Sequence, residues 1–241
     1  MLSLSIIIPA YNEETRLPAT LDQILGFLRG REWKFVEILV VDDGSTDRTR
    51  QVVERYAERA PAVRLLSNPG NRGKGFSVRH GMLEARGEWR LFTDADLSSP
   101  IDEFDKLLAA AEKTRAEIAF GSRAVDRKLV SVRQSVFREL SGRFFNLVMR
   151  AVTGLPHKDT QCGFKLYRAA AAKEVFRRQR LDGFGFDVED LFIAKELGLN
   201  VVETPVRWAN AEGTKVKLGH GLEAFWDLAV VRWNGLRGRY R

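Results

Sequence analysis

Four short apolar runs in the first hundred residues each end in a polar, turn-forming cluster, and a helix-length stretch follows each one. Leu4-Ser5-Ile6-Ile7-Ile8 stops at Pro9, and Phe35 to Val41 runs into Asp42-Asp43-Gly44-Ser45. Val63 to Leu66 gives way to Asn68-Pro69-Gly70, and Glu88 to Phe92 opens into Thr93-Asp94-Ala95-Asp96. Between them the spacing predicts helices over about 15–29, 47–59, 74–85 and 101–113; the first carries Leu17, Leu21, Ile24, Leu25 and Leu28 on one face. A fifth strand is expected at Ile118 to Phe120. Strands alternating with helices of this length give an α/β fold, a mostly parallel central sheet flanked by helices on both faces. In such sheets the loops at the carboxyl ends of the strands gather on one edge, where ligands bind.

The second half is less regular. A helix is expected over 134–152, with Phe137, Leu140, Phe144, Leu147, Val148 and Ala151 in one stripe. After Gly154-Leu155-Pro156 come a loop and strand within 159–167, a helix over 188–197 and a strand over 201–206. From His220 onward Leu222, Phe225, Trp226, Ala229, Trp233 and Leu236 share a helical face, accompanied by Arg232, Arg237, Arg239 and Arg241. The expected organisation is a domain over 1–218, with halves 1–122 and 123–218, followed by an amphipathic helix and tail over 219–241.

Charge and cysteine usage narrow the setting. A net charge of +7 and a pI near 9.7 point to an anionic partner. Seven basic residues (Arg123, Arg127, Lys128, Arg133, Arg138, Arg143, Arg150) stand against Asp126 and Glu139 in a segment that also holds Phe137, Phe144 and Phe145. Arginine mixed with large apolar groups suits a lipid headgroup boundary better than a nucleic-acid backbone. No apolar run approaches the ~20 residues that span a bilayer, and the start of the chain has no signal-peptide pattern. The single cysteine, Cys162, excludes an intrachain disulfide and fits a reducing compartment. The expected location is cytoplasmic and peripheral on a membrane face.

The strand ends carry the chemistry. Asp94 and Asp96 lie two apart in extended chain, so both carboxylates can reach one hard cation. Asp42 or Asp43 can accept from a base N–H while Tyr11 packs along its face. Gly73 and Gly75 permit close backbone approach to phosphate, and Lys74 adds charge at a helix start. A dinucleotide-dependent oxidoreductase is disfavoured because the first strand ends in Pro9-Ala10-Tyr11 where that fold needs a glycine-rich turn. A basic nucleic-acid-binding module leaves the paired carboxylates without purpose. His80, His157 and His220 are isolated and are assigned no metal.

These motifs together resemble the GT-A-fold inverting glycosyltransferases of family 2, and among them the polyprenol-phosphate glycosyltransferases. The resemblance rests on 8–14 (Ile8-Pro9-Ala10-Tyr11-Asn12-Glu13-Glu14), 41–47 (Val41-Asp42-Asp43-Gly44-Ser45-Thr46-Asp47), Asn71-Arg72-Gly73-Lys74-Gly75 and Asp94-Ala95-Asp96. It continues through Gly121-Ser122-Arg123, Phe186-Asp187-Val188-Glu189 and Glu212-Gly213-Thr214-Lys215. Asp159-Thr160-Gln161-Cys162-Gly163-Phe164-Lys165 is similar to the glucosyl branch. The chain is expected to lack the amino-terminal membrane anchor of the eukaryotic glucosyl enzymes and the carboxyl-terminal membrane domain of many bacterial and some archaeal relatives.

The resemblance implies that Asp96, helped by Asp94, holds Mg²⁺ or Mn²⁺ on the diphosphate of a nucleotide-sugar, UDP-glucose being favoured over GDP-mannose. Pro9, Tyr11, Glu13, Asp42 or Asp43, Lys74, Asp94 and Ala95 would line the nucleotide-sugar site. Arg123, with Arg133 or Arg138, would meet the phosphate of a polyprenyl or dolichyl phosphate acceptor, and Asp159 would lie beside the reacting centre. The implied reaction is a single in-line displacement with inversion. A phosphate nucleophile is mostly dianionic near neutral pH, since its second pKa is about 6, so Asp159 is expected to orient rather than to act as an obligatory base. If a sugar were the acceptor, Asp187, Glu189 and Asp190 would become the candidate bases. Cys162 is expected to be packed rather than nucleophilic.

Overall fold

The computed structural model describes residues 1–132, 136–209 and 220–241. Arg133 and the segment Glu212 to Lys215 lie outside the described residues, and Arg138 is described only by its backbone.

The first strand shows why the chain layers as it does. In β1 (Leu2–Ala10) Leu4, Ile6 and Ile8 point to one side and Ile7 to the other, and all four are fully buried. A strand apolar on both faces must be covered on both. On one side lie α1 (Leu17–Arg29), α2 (Thr49–Arg59) and α4 (Phe104–Thr114), which bring Leu21, Ile24, Val53, Phe104 and Leu107. On the other lie α3 (Lys74–Glu84), α5 (Val136–Thr153), α6 (Ala169–Arg178), α7 (Phe186–Glu196) and α8 (His220–Leu236). They bring Val78, Met149, Val175, Phe192 and Val231 against Ile7, Leu39 and Phe92.

The remaining strands of the main sheet are β2 (Trp33–Asp42), β3 (Val63–Ser67), β4 (Trp89–Thr93), β5 (Ile118–Ser122), β7 (Phe164–Arg168) and β8 (Val201–Pro205). Their order is β3-β2-β1-β4-β7-β5-β8, and β7 runs antiparallel between β4 and β5 while the other pairings are parallel. The reversed strand is what brings the two halves of the site together. Because β7 enters where β4 leaves, the Gly163 carbonyl accepts from Asp94 N–H at 3.2 Å. The 159–163 loop therefore abuts the Asp94–Asp96 turn, with the end of β5 and Arg123 beside it.

A small parallel pair, β6 (Val130–Val132) with β9 (Trp208–Ala209), flanks the same edge and has no counterpart in the sequence-based expectation. Nor does α6, which starts directly from β7 without a side-chain cap at Arg168 and so carries no start signal. The helix expected at 188–197 begins at Phe186, so Asp187, Glu189 and Asp190 all lie inside its first turns and are buried.

Candidate active site

Two loops make one wall. The Asn12 carboxamide oxygen accepts from the N–H of Thr46 at 2.8 Å, and Ser45 Oγ accepts from Asn12 N–H at 2.9 Å. Asn12 itself is held at φ 54°, and Leu97, just beyond the aspartate pair, at φ 45°. Non-glycine residues in the left-handed region cost energy and persist where surrounding bonds fix them. β1 does not stop at Pro9 but runs on to Ala10, which pairs with Asp42; Tyr11 beyond it is 37% exposed, and Glu13 is gripped by the Arg16 guanidinium at 2.8 and 2.9 Å.

The sequence leaves Asp42 and Asp43 as alternatives, and the structure separates them. Asp43 accepts from Asn68 Nδ2 (2.8 Å), Arg72 N (2.9 Å) and Gly73 N (2.8 Å), so both of its oxygens brace the loop before α3. Asp42 has one oxygen on the Ser45 N–H at 3.2 Å, which leaves it the better placed for a base N–H. The structure gives Gly73 and Gly75 a packing role that the sequence does not show. A Cβ at Gly73 would stand 2.4 Å from the Asp182 carbonyl oxygen, and one at Gly75 would stand 2.6 Å from that of Leu181. Both glycines are small because the chain before α7 packs on them.

At the centre, Lys74 Nζ lies 2.6 Å from Asp94 Oδ1 and over the ring of Phe92. Burial works against the Lys74 charge, but the carboxylates of Asp94, Asp187 and Asp96 outweigh it and hold its pKa above the ordinary value. Burial pushes Asp94 up despite Lys74, and the nearby charges of Asp96 and Asp187 add to the rise. Asp96 uses one oxygen on Ser98 N–H at 2.9 Å, and the Ala95 carbonyl is pinned by Thr20 Oγ1 at 2.6 Å. The donor set is two hard carboxylates one residue apart, and no cluster of three or more His, Cys, Asp and Glu that would cage an ion occurs among the described residues. That pattern fits a small hard divalent ion, which binds one or two carboxylates and takes its remaining oxygens from phosphates.

Gly163 presses on this pair: a Cβ there would stand 2.1 Å from Asp94 Oδ2. We expect Gly163→Ala to displace Asp94 and lower kcat/KM about 10²-fold, the scale of a 1 Å misplacement; kinetics with the thermal midpoint in parallel would check this. The sequence motif that contains Gly163 gives it no role of its own. Its signal was a glycine immediately before a buried strand, where backbone or side chains approach closely.

Beyond the end of β5 Arg123 and Asp159 form one unit. Nε donates to Asp159 Oδ2 and Nη2 to Oδ1, both at 2.7 Å, and the Arg123 backbone N–H adds a third bond at 2.9 Å. The guanidinium lies over Trp208 at 5.3 Å, a partner the sequence did not reveal. Burial opposes both charges, and each overcomes it through the other: Arg123 is raised and Asp159 lowered from their ordinary values. Asp159 is therefore an ionised brace, and Arg123 offers outward only the N–H groups that Asp159 does not use. Burial and the Asp159 charge push the Cys162 thiol up to about 12, so it is a neutral packed thiol.

Behind lies a buried charge chain. Lys165 Nζ is 2.8 Å from Asp187 Oδ1 and 2.9 Å from Asp190 Oδ2, and Tyr167 OH donates to Asp190 at 2.7 Å. Glu189 accepts from the N–H groups of Arg180 and Leu181 and from Tyr240 OH. Glu189 and Asp190 are hydrogen-bonded within the protein, whereas Asp187 is held through the Lys165 charge and its Oδ1 accepts no hydrogen bond.

A mostly parallel sheet whose strand ends carry a carboxylate pair, two further aspartates and a half-buried lysine has the architecture of the nucleotide-diphospho-sugar transferases of GT-A fold. Solved structures agree on the fold. Mannosyl-3-phosphoglycerate synthase from Rubrobacter xylanophilus superposes with a TM-score of 0.71 at 18% identity, covering 99% of this chain and 75% of that one. Glucosyl-3-phosphoglycerate synthase from Mycobacterium tuberculosis, in complex with Mn²⁺, UDP and glucosyl-3-phosphoglycerate, gives 0.69 at 19% identity, covering 96% and 80%. Residues 5–176 match the Glycosyl transferase family 2 profile, and the chain belongs to that family. The chain is similar to the dolichyl-phosphate beta-glucosyltransferase ALG5A of Trichomonas vaginalis, 39% identical over 95% of this chain and 72% of the relative. The human dolichyl-phosphate beta-glucosyltransferase is 36% identical over 99% and 77%, and that of Saccharomyces cerevisiae 35% over 99% and 76%.

Proposed function

We propose that this glycosyltransferase moves glucose from UDP-glucose to a polyprenyl phosphate of the dolichyl type, with inversion, while resting on the cytoplasmic face of a membrane. One observation carries the reading of the acceptor. Asp159, Asp187, Glu189 and Asp190 are each already paired with a cation or with protein N–H and O–H donors. A sugar hydroxyl needs a base to take its proton, whereas a phosphate dianion arrives without one. The names of the relatives agree with this choice, as does the Arg123 guanidinium, whose remaining donors suit phosphate oxygens.

In this reading Tyr11 and Asp42 receive the uracil, and Asp94 and Asp96 are the residues that would hold Mg²⁺ or Mn²⁺. When bound, such an ion supplies charge neutralisation to the departing diphosphate. Lys74, 2.6 Å from Asp94, stands where it can turn to the same diphosphate oxygens. Arg123, locked by Asp159 and backed by Trp208, fixes the acceptor phosphate for attack from the opposite face, and orientation of the two reactants lowers the barrier. Since the nucleophile carries its own charge, the acid limb of the rate profile is expected near pH 6, the second pKa of the phosphate. That limb should stay in place in Asp159→Asn, since the Arg123 charge holds the Asp159 carboxyl below its ordinary value; its disappearance there would show that the limb does not belong to the acceptor phosphate.

The membrane contact is assigned to α5 and α8, which pack through Phe145 and Phe225 with rings 5.4 Å apart. Their outer faces keep Phe144, Leu147, Trp226, Trp233 and Leu236 more than half exposed. No described helix is long and apolar enough to cross a membrane. Exposed Trp, Phe and Leu beside arginines suit the interface instead. Trp226→Ser with Trp233→Ser should weaken sedimentation with anionic vesicles roughly tenfold or more, from the apolar area each indole would insert. Unchanged sedimentation would remove this anchor. Function is tested by incubating labelled UDP-glucose and GDP-mannose separately with the protein, polyprenyl phosphate vesicles and Mg²⁺. Label should enter the organic phase from UDP-glucose; entry from GDP-mannose alone would reassign the donor.

A further inference from the structure

The segment 179–185, between α6 and α7, is clamped between the nucleotide-sugar site and the carboxyl-terminal helix. On its inner side the Asp182 carbonyl accepts from Phe76 N–H at 3.1 Å, and Gln179 Nε2 donates to the Gly75 carbonyl at 2.9 Å. Arg79 donates to Asp182 Oδ1 at 2.8 Å. With the Gly73 and Gly75 contacts, these bonds hold the first turn of α3, whose first residue is Lys74. On its outer side the segment hangs from α8 and the chain end at two points. Glu189 Oε2 accepts from Leu181 N–H at 2.8 Å, and its other oxygen accepts from Tyr240 OH at 2.6 Å. Tyr240 is fully buried, and its hydroxyl also accepts from Asn234 Nδ2 at 3.2 Å. Asp227 is packed directly on Gly185: a Cβ at Gly185 would stand 2.3 Å from Asp227 Oδ2.

We propose that Tyr240 and Asp227 are positioning residues for the nucleotide-sugar: through segment 179–185 they fix the amino end of α3 and so set where Lys74 stands. The inference rests on the reading that Lys74 serves the donor diphosphate. Both residues act at a distance, through the segment and α3 rather than on Lys74 itself. The same helix carries Trp226 and Trp233 on its outer face, so one element both faces the proposed membrane and braces the donor site. A glutamate held by two N–H groups and a tyrosine hydroxyl is a stiff link, because hydrogen bonds to a charged group are stronger than neutral ones.

The test is calorimetric binding of UDP with Mn²⁺ to the full chain and to Tyr240→Phe, Asp227→Ala, Lys74→Ala and the double variant Tyr240→Phe/Lys74→Ala. Tyr240→Phe removes only the hydroxyl, and Asp227→Ala changes a half-exposed residue, so one remains informative should the other fail to fold. Each single variant is expected to weaken UDP binding about fivefold, an effect near 1 kcal/mol, with KM for the lipid acceptor and vesicle sedimentation unchanged. The double variant should bind no more weakly than Lys74→Ala alone, because both changes act through one lysine. Full-affinity binding by folded Tyr240→Phe and Asp227→Ala would overturn the proposal. So would losses that simply add in the double variant. Failure of the unsubstituted chain to bind UDP would overturn the functional reading itself and this inference with it.

Discussion

Asp96→Ala is expected to lower glucosyl transfer by roughly 10³-fold or more while the protein stays folded. The carboxylate makes one short-range bond, to Ser98 N–H at 2.9 Å, so its loss removes little more than a turn contact. Such a contact contributes about 1 kcal/mol. Asp94 by itself is the poorer ligand, because Lys74 lies 2.6 Å from one of its oxygens and burial favours its neutral form. Neutralising a departing diphosphate is worth several kcal/mol at the transition state, and each 1.4 kcal/mol is about tenfold in rate. The effect should fall on kcat and on UDP affinity together, and the thermal midpoint should move by only a few degrees. Undiminished turnover in Asp96→Ala would remove the aspartate pair from the chemistry.

Asp159→Ala is expected to damage both stability and acceptor use. It strips three N–H bonds from a carboxylate that is 7% exposed and leaves the partly buried Arg123 charge without its counterion. Breaking such a pair costs about 3 kcal/mol, the low end of the range because Arg123 is partly open to water. For a chain of this size that is roughly a 10 °C fall in Tm. With the brace gone, the guanidinium no longer presents fixed donors, and kcat/KM for the lipid should fall about 10²-fold while KM for UDP-glucose stays nearly constant. The pH dependence follows from the lowered Asp159 value. A carboxylate depressed in the fold contributes stability that is present above its unfolded value and is lost as pH falls through its folded one. The wild type should therefore lose this contribution only below pH ~4, and Asp159→Asn should lack that acid step. A variant with normal lipid KM would place the acceptor phosphate elsewhere.

How much of this could be read from residues alone depended on range. The strands of the first half, the helices between them and the gathering of their polar ends follow from local periodicity. So do Asp94, Asp96 and Lys74, which lie next to strand or helix termini. What escaped sequence reading was every contact made across the sheet. Nothing local marks β7 as antiparallel, yet that reversal puts Gly163 on Asp94 and Asp159 on Arg123. Asp42 and Asp43 are indistinguishable as neighbours in sequence; the bonds from Asn68, Arg72 and Gly73 to Asp43 separate them. Gly73 and Gly75 read as phosphate-facing because they flank a lysine; the packing on them of a segment more than a hundred residues later has no local signal. The stripe in the last helix was legible, but its division was not. Phe225 turns to α5 while Trp226 and Trp233 stay outside. Truncating that helix would also remove buried Tyr240, so surface substitutions test the membrane contact more cleanly than deletion.

The most direct measurement is anomalous diffraction from crystals soaked with UDP and Mn²⁺. One anomalous peak is expected within coordination distance of Asp96 and a diphosphate oxygen, with Lys74 turned toward the same diphosphate and the uracil against Asp42. A nucleotide bound away from the strand ends, or ordered UDP with no ion at Asp94 and Asp96, would contradict the account.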